Sequence, residues 1–283
     1  MPIEAYPHDP ANQPGYWGEV TSTVQWCESD YIHSFYIAEY FNTISSVPIA
    51  LVAAWGLYSG WRAGWQGKTL LPFFLMLCVG LGSCCFHGTL QRWGQAADEL
   101  PMLYAATTLL YLGLEPDRST RRAWLAPALA VFCAATSVAY IMLDAFFPFF
   151  LSTYIVLVLA QFYFALVLAA EAQTAQPGAQ RLLASAAIIY LFGFFCLWVP
   201  DYFNCKAVQP FCFHAWFHLT SCAGPWALVN FFALCIHQRS ATAQAPPLLQ
   251  YHYCVPVVVI SSSTEGKGSS ALPPKRAKPA KRA

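Results

Sequence analysis

Apolar residues fall in long blocks separated by short polar stretches. A bilayer core of about 30 Å requires roughly 20 apolar residues per helix. Seven blocks meet or approach that length and predict helices over 37–60, 70–90, 98–114, 123–143, 146–170, 182–200 and 211–237, the third being short. Pro48, Pro101, Pro127 and Pro225 fall inside or at the ends of these blocks. Membrane helices tolerate proline where neighbouring groups re-satisfy the backbone. A further apolar patch, 248–260, is too short to span and contains Pro256. The pattern predicts an all-α membrane protein, a seven-transmembrane helix bundle, preceded by a polar segment over 1–36. From about Ala241 the chain turns rich in Ser, Pro, Gly, Ala and Lys, so 238–283 is read as a basic, disordered tail attracted to anionic lipid.

Composition agrees. Of 283 residues 57% are hydrophobic and only 10% charged, with a mean hydropathy of +0.44, whereas soluble domains carry about 25% charged residues. The opening residues are polar, contain proline and lack Lys and Arg, so they do not read as a cleavable signal peptide.

The placement of charge orients the bundle. Arg62, Lys68, Arg118, Arg121, Arg122, Arg181, Arg239 and the tail's Lys267, Lys275, Arg276, Lys278, Lys281 and Arg282 all fall on one side of a seven-crossing topology. Only Arg92 and Lys206 fall on the other. Basic residues favour the cytosolic side. The N-terminus is therefore predicted to be luminal or extracellular and the C-terminus cytosolic.

Ionisable residues inside spans are costly and usually mark function. Here they gather at one depth. His87 ends the second block in "GLGSCCFHGTL", Asp98 and Glu99 open the third in "ADELPM", and His214 and His218 open the seventh in "FHAWFH". All lie at the predicted luminal end. His214 and His218, at i and i+4, share a helical face, as do Ser83 and His87. Three imidazoles from two helices suit a catalytic zinc, which leaves a fourth position for water. The chain has no HExxH motif. Cys84 and Cys85 offer alternative thiolates but point about 100° and 200° away from Ser83 around the helix. The bland reading, two core histidines satisfied by neighbours, stands beside the zinc reading.

A second polar cluster, "QWCESDY" followed by "YIAEYFNT", carries Glu28, Asp30 and Glu39. Three carboxylates at a membrane edge suit a hard, oxygen-seeking cation such as calcium, although acidic residues in exposed segments are usually only solvated. Glu39 is the informative member, because it sits in the opening turn of an apolar helix and needs a partner. Most of the eleven cysteines read as small buried hydrophobes. Cys27 and Cys205, outside the apolar runs, are the one pair considered for a disulfide.

"GYWG" with "STVQWCESDY", "YIAEYFNT", "GLGSCCFHGTL", "DELPM", "LWVPDYFNC" and "FHAWFH" occur in this order between residue 15 and about 237. In them the chain resembles the alkaline ceramidases, seven-helix integral membrane amidases. The resemblance implies hydrolysis of ceramide, dihydroceramide or phytoceramide to a sphingoid base and a fatty acid. It implies a catalytic zinc on His87, His214 and His218, with Ser83 holding the attacking water or the developing oxyanion and Asp98 orienting the site or moving protons. It also implies a structural, regulatory calcium on Gln25, Trp26 (through its backbone carbonyl), Glu28, Asp30 and Glu39.

The family commonly has Asp before the Trp and Asn three residues after the Cys, where this chain has Gln25 and Asp30. The carboxylate has moved while the count over the five positions stays at three, which implies calcium binding with altered affinity. Cys27 and Cys205 match cysteines that form a luminal disulfide, and the setting implied is the endoplasmic reticulum or Golgi membrane. The expected partner is the lipid substrate, with no nucleic acid and no obligatory protein partner. A zinc-containing seven-helix receptor of the progestin and adiponectin receptor type is the alternative. A transporter with a histidine proton relay is a third reading, disfavoured because no two-half hydropathy repeat is seen.

Overall fold

The structure is a computed structural model that describes residues 12–65, 67–116, 120–143, 146–171, 177–240, 248–252 and 255–259. Its long helices are α1 (Tyr40–Arg62), α2 (Gly67–Thr89), α3 (Arg92–Leu114), α4 (Leu125–Met142), α5 (Phe146–Ala170) and α6 (Pro177–Phe192). A π-helical stretch, Gly193–Trp198, continues α6 into the short α7 (Val199–Phe203). Then come α8 (Cys205–Val208), a 3-10 turn, and α9 (Phe213–Ser240).

Among the described residues six helical segments are long and apolar enough to cross a membrane: α1, α2, α4, α5, Gly178–Phe203 and Phe213–Arg239. The expected third span differs. Its helix begins at Arg92 rather than at residue 98, and α3 is absent from the six. The reason lies in its first turns, where Arg92, Asp98 and Glu99 lower the hydropathy of a 23-residue helix. The bundle is thus a set of apolar helices that also encloses one polar-ended helix, α3.

Small residues set the spacing around α2. A Cβ on Gly80 would lie 2.4 Å from the backbone nitrogen of Ala50 in α1, and one on Gly82 would lie 2.0 Å from the carbonyl oxygen of Ala97 in α3. Without side chains at these points the three backbones approach closely, as small residues permit in membrane bundles. That approach brings the residues at the C-terminal end of α2 within hydrogen-bonding range of α1. α9 forms the centre: 72% of its most apolar window is buried, against 17% for α4. The π-helical turn packs on it through Gly193, where a Cβ would lie 2.3 Å from Thr220 Oγ1.

The segment before α1 closes the end of the bundle where the histidines gather. The amides of Thr21 and Ser22 donate to the Leu90 carbonyl, and those of Ala38 and Glu39 donate to the carbonyls of Gly88 and His87. Its own turn needs a left-handed residue at Tyr31 (φ 58°). Glu39 occupies the N-cap of α1 without capping it by its side chain. Glu28 does that work from the preceding loop: its carboxylate accepts from the amides of Phe41 (2.7 Å) and Asn42 (2.9 Å), two of the four N–H groups that a helix start leaves without partners.

The expected disordered tail is corrected in one place. β1 (Leu248–His252) and β2 (Val255–Val259) pair antiparallel, with Leu248 opposite Val259. The valine-rich second strand suits a pleated, half-buried surface, and Val258 is fully buried. Its carbonyl accepts from Trp65 Nε1 (2.8 Å), giving that buried indole the partner it requires. Residues 241–247, 253–254 and 260–283 of the expected tail lie outside the described residues.

Candidate metal centre

His87, His214 and His218 converge. Their ligand atoms all lie within 4.8 Å of one another and all three rings are buried. Among the described residues this is the one group of three or more His, Cys, Asp or Glu side chains so arranged. His87 closes α2, while His214 and His218 occupy successive turns of one face of α9.

Hydrogen bonds engage one ring nitrogen in two of the three histidines. His87 Nδ1 lies 2.5 Å from Glu39 Oε2, and His218 Nδ1 lies 2.7 Å from Ser45 Oγ. The Ser45 hydroxyl also reaches the Asn42 carbonyl (3.1 Å). With its single proton given to that carbonyl, Ser45 accepts from His218 Nδ1–H. That assignment leaves Nε2 of His218 as the lone-pair nitrogen, and Glu39 does the same for His87. Metal-binding histidines commonly have their second nitrogen fixed in this way by a carboxylate or another hydrogen-bonding group. His214 Nδ1 is buried and has no partner among the described residues. Three buried imidazoles with two second nitrogens already engaged fit a borderline divalent metal such as zinc.

Ser83 stands one turn before His87, its Oγ 2.8 Å from Ser46 Oγ. Ser46 in turn donates to the Asn42 carbonyl (2.7 Å) and lies 3.4 Å from His218 Nδ1. Asp98 is half-buried on α3, with its backbone nitrogen against Gly82, next to Ser83. It is within electrostatic reach of Cys84. Its neighbour Glu99 is committed elsewhere, accepting from Tyr140 Oη (2.7 Å) and Gln95 Nε2 (2.9 Å). Cys85 is exposed, and Cys84 donates to the Thr43 carbonyl (3.6 Å), so neither thiol joins the histidine cluster.

The five residues expected at calcium divide into two environments. Gln25, Trp26, Glu28 and Asp30 line a pocket with Asn12, Cys27, Cys205 and Gln209. Gln25 Nε2 donates to Asp30 Oδ2 (2.9 Å). Glu39 does not line that pocket; it turns to His87 and to Asn42 Nδ2 (3.0 Å), while its Oε1 accepts from the Trp26 amide (3.0 Å). Burial pushes the Glu28 carboxyl up to about 7. Cys27 and Cys205 are joined in a disulfide, Cα to Cα 5.3 Å, which ties this segment to the loop before α9.

Two features were not anticipated from sequence. Asp201, buried in α7, accepts from the amides of Cys27 (3.2 Å) and His214 (3.1 Å), linking the disulfide loop to a centre histidine. Its signal was a carboxylate at the end of an apolar run, in "LWVPDYFNC". Ser45 and Ser46 carried a weaker one, adjacent hydroxyls in an apolar helix.

Fold and site together define a multi-pass membrane protein with a buried, metal-competent three-histidine centre at one end of its helices. The family model described as Ceramidase matches residues 18–259, and the chain belongs to that family. It is 28% identical to "Alkaline ceramidase 3" of Mus musculus over 231 residues, 77% of this chain and 85% of the relative. Against "Alkaline ceramidase" of Drosophila melanogaster it is 28% identical over 253 residues, covering 82% and 83%. A shorter match, 42% identical over 105 residues, joins it to "Alkaline ceramidase YPC1" of Saccharomyces cerevisiae and covers 37% and 33%.

Proposed function

We propose that this chain is an alkaline ceramidase that hydrolyses the N-acyl bond of ceramide-type lipids to a sphingoid base and a free fatty acid, using a zinc ion on His87, His214 and His218. The observation that carries this reading is the convergence of three buried imidazoles, with a serine hydrogen-bond chain beside them, at one end of an apolar bundle. Zinc supplies a Lewis acid for the amide oxygen and lowers the pKa of water.

The protein's groups have separable tasks. Glu39 and Ser45 hold the rings of His87 and His218 in the tautomer that presents Nε2. The Ser83 hydroxyl, which rests on Ser46, turns to donate to the oxyanion that develops as the amide carbon becomes tetrahedral. A donor so placed lowers the barrier by a few kcal/mol, about 3 on average. Asp98 accepts a proton from the attacking water and returns it to the leaving amine. Apolar walls between the helices take the two chains of the lipid, leaving its polar head at the end closed by the N-terminal segment.

Calcium belongs to the same reading as a structural ion on Gln25, Trp26, Glu28 and Asp30, while Glu39, the fifth expected ligand, turns to His87 instead. Gln25, Trp26, Glu28 and Asp30 line one pocket, and oxygen donors of these residue types suit that cation. Which end of the Gln25 amide faces Asp30 is an assignment that a cation would reverse. The Cys27–Cys205 bond supports an oxidising, luminal setting for this end of the bundle, in the endoplasmic reticulum or Golgi.

The test is fatty-acid release from ceramide, dihydroceramide and phytoceramide by purified protein, with metal content measured in parallel, for wild type and His218→Ala. Hydrolysis and stoichiometric zinc in wild type, both lost in folded His218→Ala, are the expected results. A zinc-replete protein inactive on all three lipids would sink the reading.

A further inference from the structure

Beside the histidine cluster lies a donor with no acceptor. Trp26 is buried, and its indole Nε1 has no hydrogen-bond partner among the described residues. An indole N–H can only donate, and a buried donor left unpaired is costly enough that its persistence calls for an explanation. Burial alone does not supply one, since Trp65 in the same protein satisfies its N–H on a backbone carbonyl.

The position of the ring suggests what the acceptor is. Trp26 stacks on His214 with centroids 3.7 Å apart and planes 13° from parallel. Trp198, Tyr202 and Phe147 surround it at centroid distances of 5.6, 6.0 and 6.3 Å. The Trp26 amide is held by Glu39 Oε1, so the ring is anchored to the residue that also orients His87. Ser83, by contrast, lies one helical turn deeper than His87 on α2 and on the His218 side of the cluster. Ser83 thus reaches the cluster beside His218 and Trp26 reaches it beside His214, Trp26 belonging to the polar N-terminal segment.

We propose that the Trp26 indole N–H binds a hydroxyl of the sphingoid head and so positions the amide over the metal centre. This inference rests on the ceramidase reading above. An amphipathic lipid with its chains between the helices must present its hydroxyls towards the polar end, and there an orphaned donor is waiting. The assignment concerns the indole alone and is independent of the Trp26 carbonyl.

The experiment compares wild type and Trp26→Phe, in the full chain loaded with zinc, on three substrates: ceramide, its 1-deoxy analogue and its 3-deoxy analogue. Phenylalanine keeps an aromatic face for His214 and removes the N–H. The expected result is a fall of about tenfold in kcat/KM on ceramide, the size of one hydrogen bond, with zinc content unchanged. The same fall is expected on one deoxy analogue, while the analogue lacking the accepting hydroxyl is hydrolysed equally by both enzymes. An equal fall on all three substrates, or no fall, overturns the proposal while leaving the ceramidase reading intact. Should Trp26→Phe lose zinc, 3-benzothienylalanine at position 26 keeps the bicyclic shape without the N–H and is judged by the same pattern. Wild type inactive on every ceramide would overturn the functional reading and this inference with it.

Discussion

Glu39 Oε2 lies 2.5 Å from His87 Nδ1, and the other oxygen of the same carboxylate accepts the amide of Trp26. One buried side chain thus joins the start of α1, the end of α2 and the loop that carries the expected calcium ligands. Outer partners of metal-binding histidines contribute about 10- to 100-fold in metal affinity. Glu39→Ala is expected to weaken zinc binding by that factor, to lower activity and to blunt its response to calcium. Metal titration and activity across a calcium series check this. Unchanged activity and an unchanged calcium response in folded Glu39→Ala would disconnect the two sites.

In the proposed reaction Ser83 acts at the reacting centre rather than on the metal. Ser83→Ala should therefore lower kcat by about 10²-fold, the loss typical of a removed oxyanion donor, while bound zinc stays at the wild-type level. Zinc lost in parallel with activity would instead make Ser83 a scaffold of the metal centre.

Asp201 accepts two buried amides, those of Cys27 and His214. Asp201→Ala leaves both donors unpaired, each at a cost of about 1–3 kcal/mol. A lower thermal midpoint with the Cys27–Cys205 bond intact is expected, read by thermal unfolding and thiol counting. Asp201→Asn, which keeps one accepting oxygen, should fall between wild type and Ala. Equal midpoints for all three proteins would show that these bonds contribute nothing.

Gly82 meets backbone. A methyl group there would sit 2.0 Å from the Ala97 carbonyl oxygen, and no rotamer change relieves that contact. Gly82→Ala must push α3 from α2 and shift Asp98 away from Ser83. Overpacking of this kind costs about 1–3 kcal/mol. Reduced stability together with a kcat loss larger than any KM change is the expected outcome; wild-type kinetics would contradict the close approach.

Glu28 is expected to make the stability of the chelator-treated protein sensitive to pH. Burial raises its carboxyl from 4.5 to about 7, against the opposing pull of the Phe41 and Asn42 amides. The folded state therefore holds the proton more tightly than the unfolded chain. This contribution to stability is complete below about pH 4.5 and is lost as pH rises through about 7. In chelator, the thermal midpoint should decline over that window, and Glu28→Gln should flatten the decline. Identical pH profiles for the two proteins would refute the assignment.

Much of this architecture was legible because membrane helices advertise themselves by apolar length. Six of the seven predicted blocks lie close to the long apolar helices found, and the third differs because α3 opens on Arg92, Asp98 and Glu99. The last two strands left no such signal, and the sequence placed them in a disordered tail. The run 248–260 was too short for a span, and its pairing depends on α1, α9 and the Trp65 N–H, which local composition does not reveal. The histidines were legible from their i, i+4 spacing and from sharing a depth with His87. Their partners were not: Ser45 is 173 residues from His218, and Asp201 is 174 from Cys27.

What the sequence determined by itself is the set of apolar helices and the depth at which their costly polar residues sit, because both follow from the transfer of side chains and backbone into hydrocarbon. The tertiary structure decided which of those residues meet. Glycines at 80 and 82 set how closely α1, α2 and α3 approach, and that spacing turns Glu39 towards His87 rather than into the pocket of Gln25, Glu28 and Asp30. Hydrogen bonds form over about 3 Å, so a partner choice made by packing across the bundle leaves no trace in local pattern.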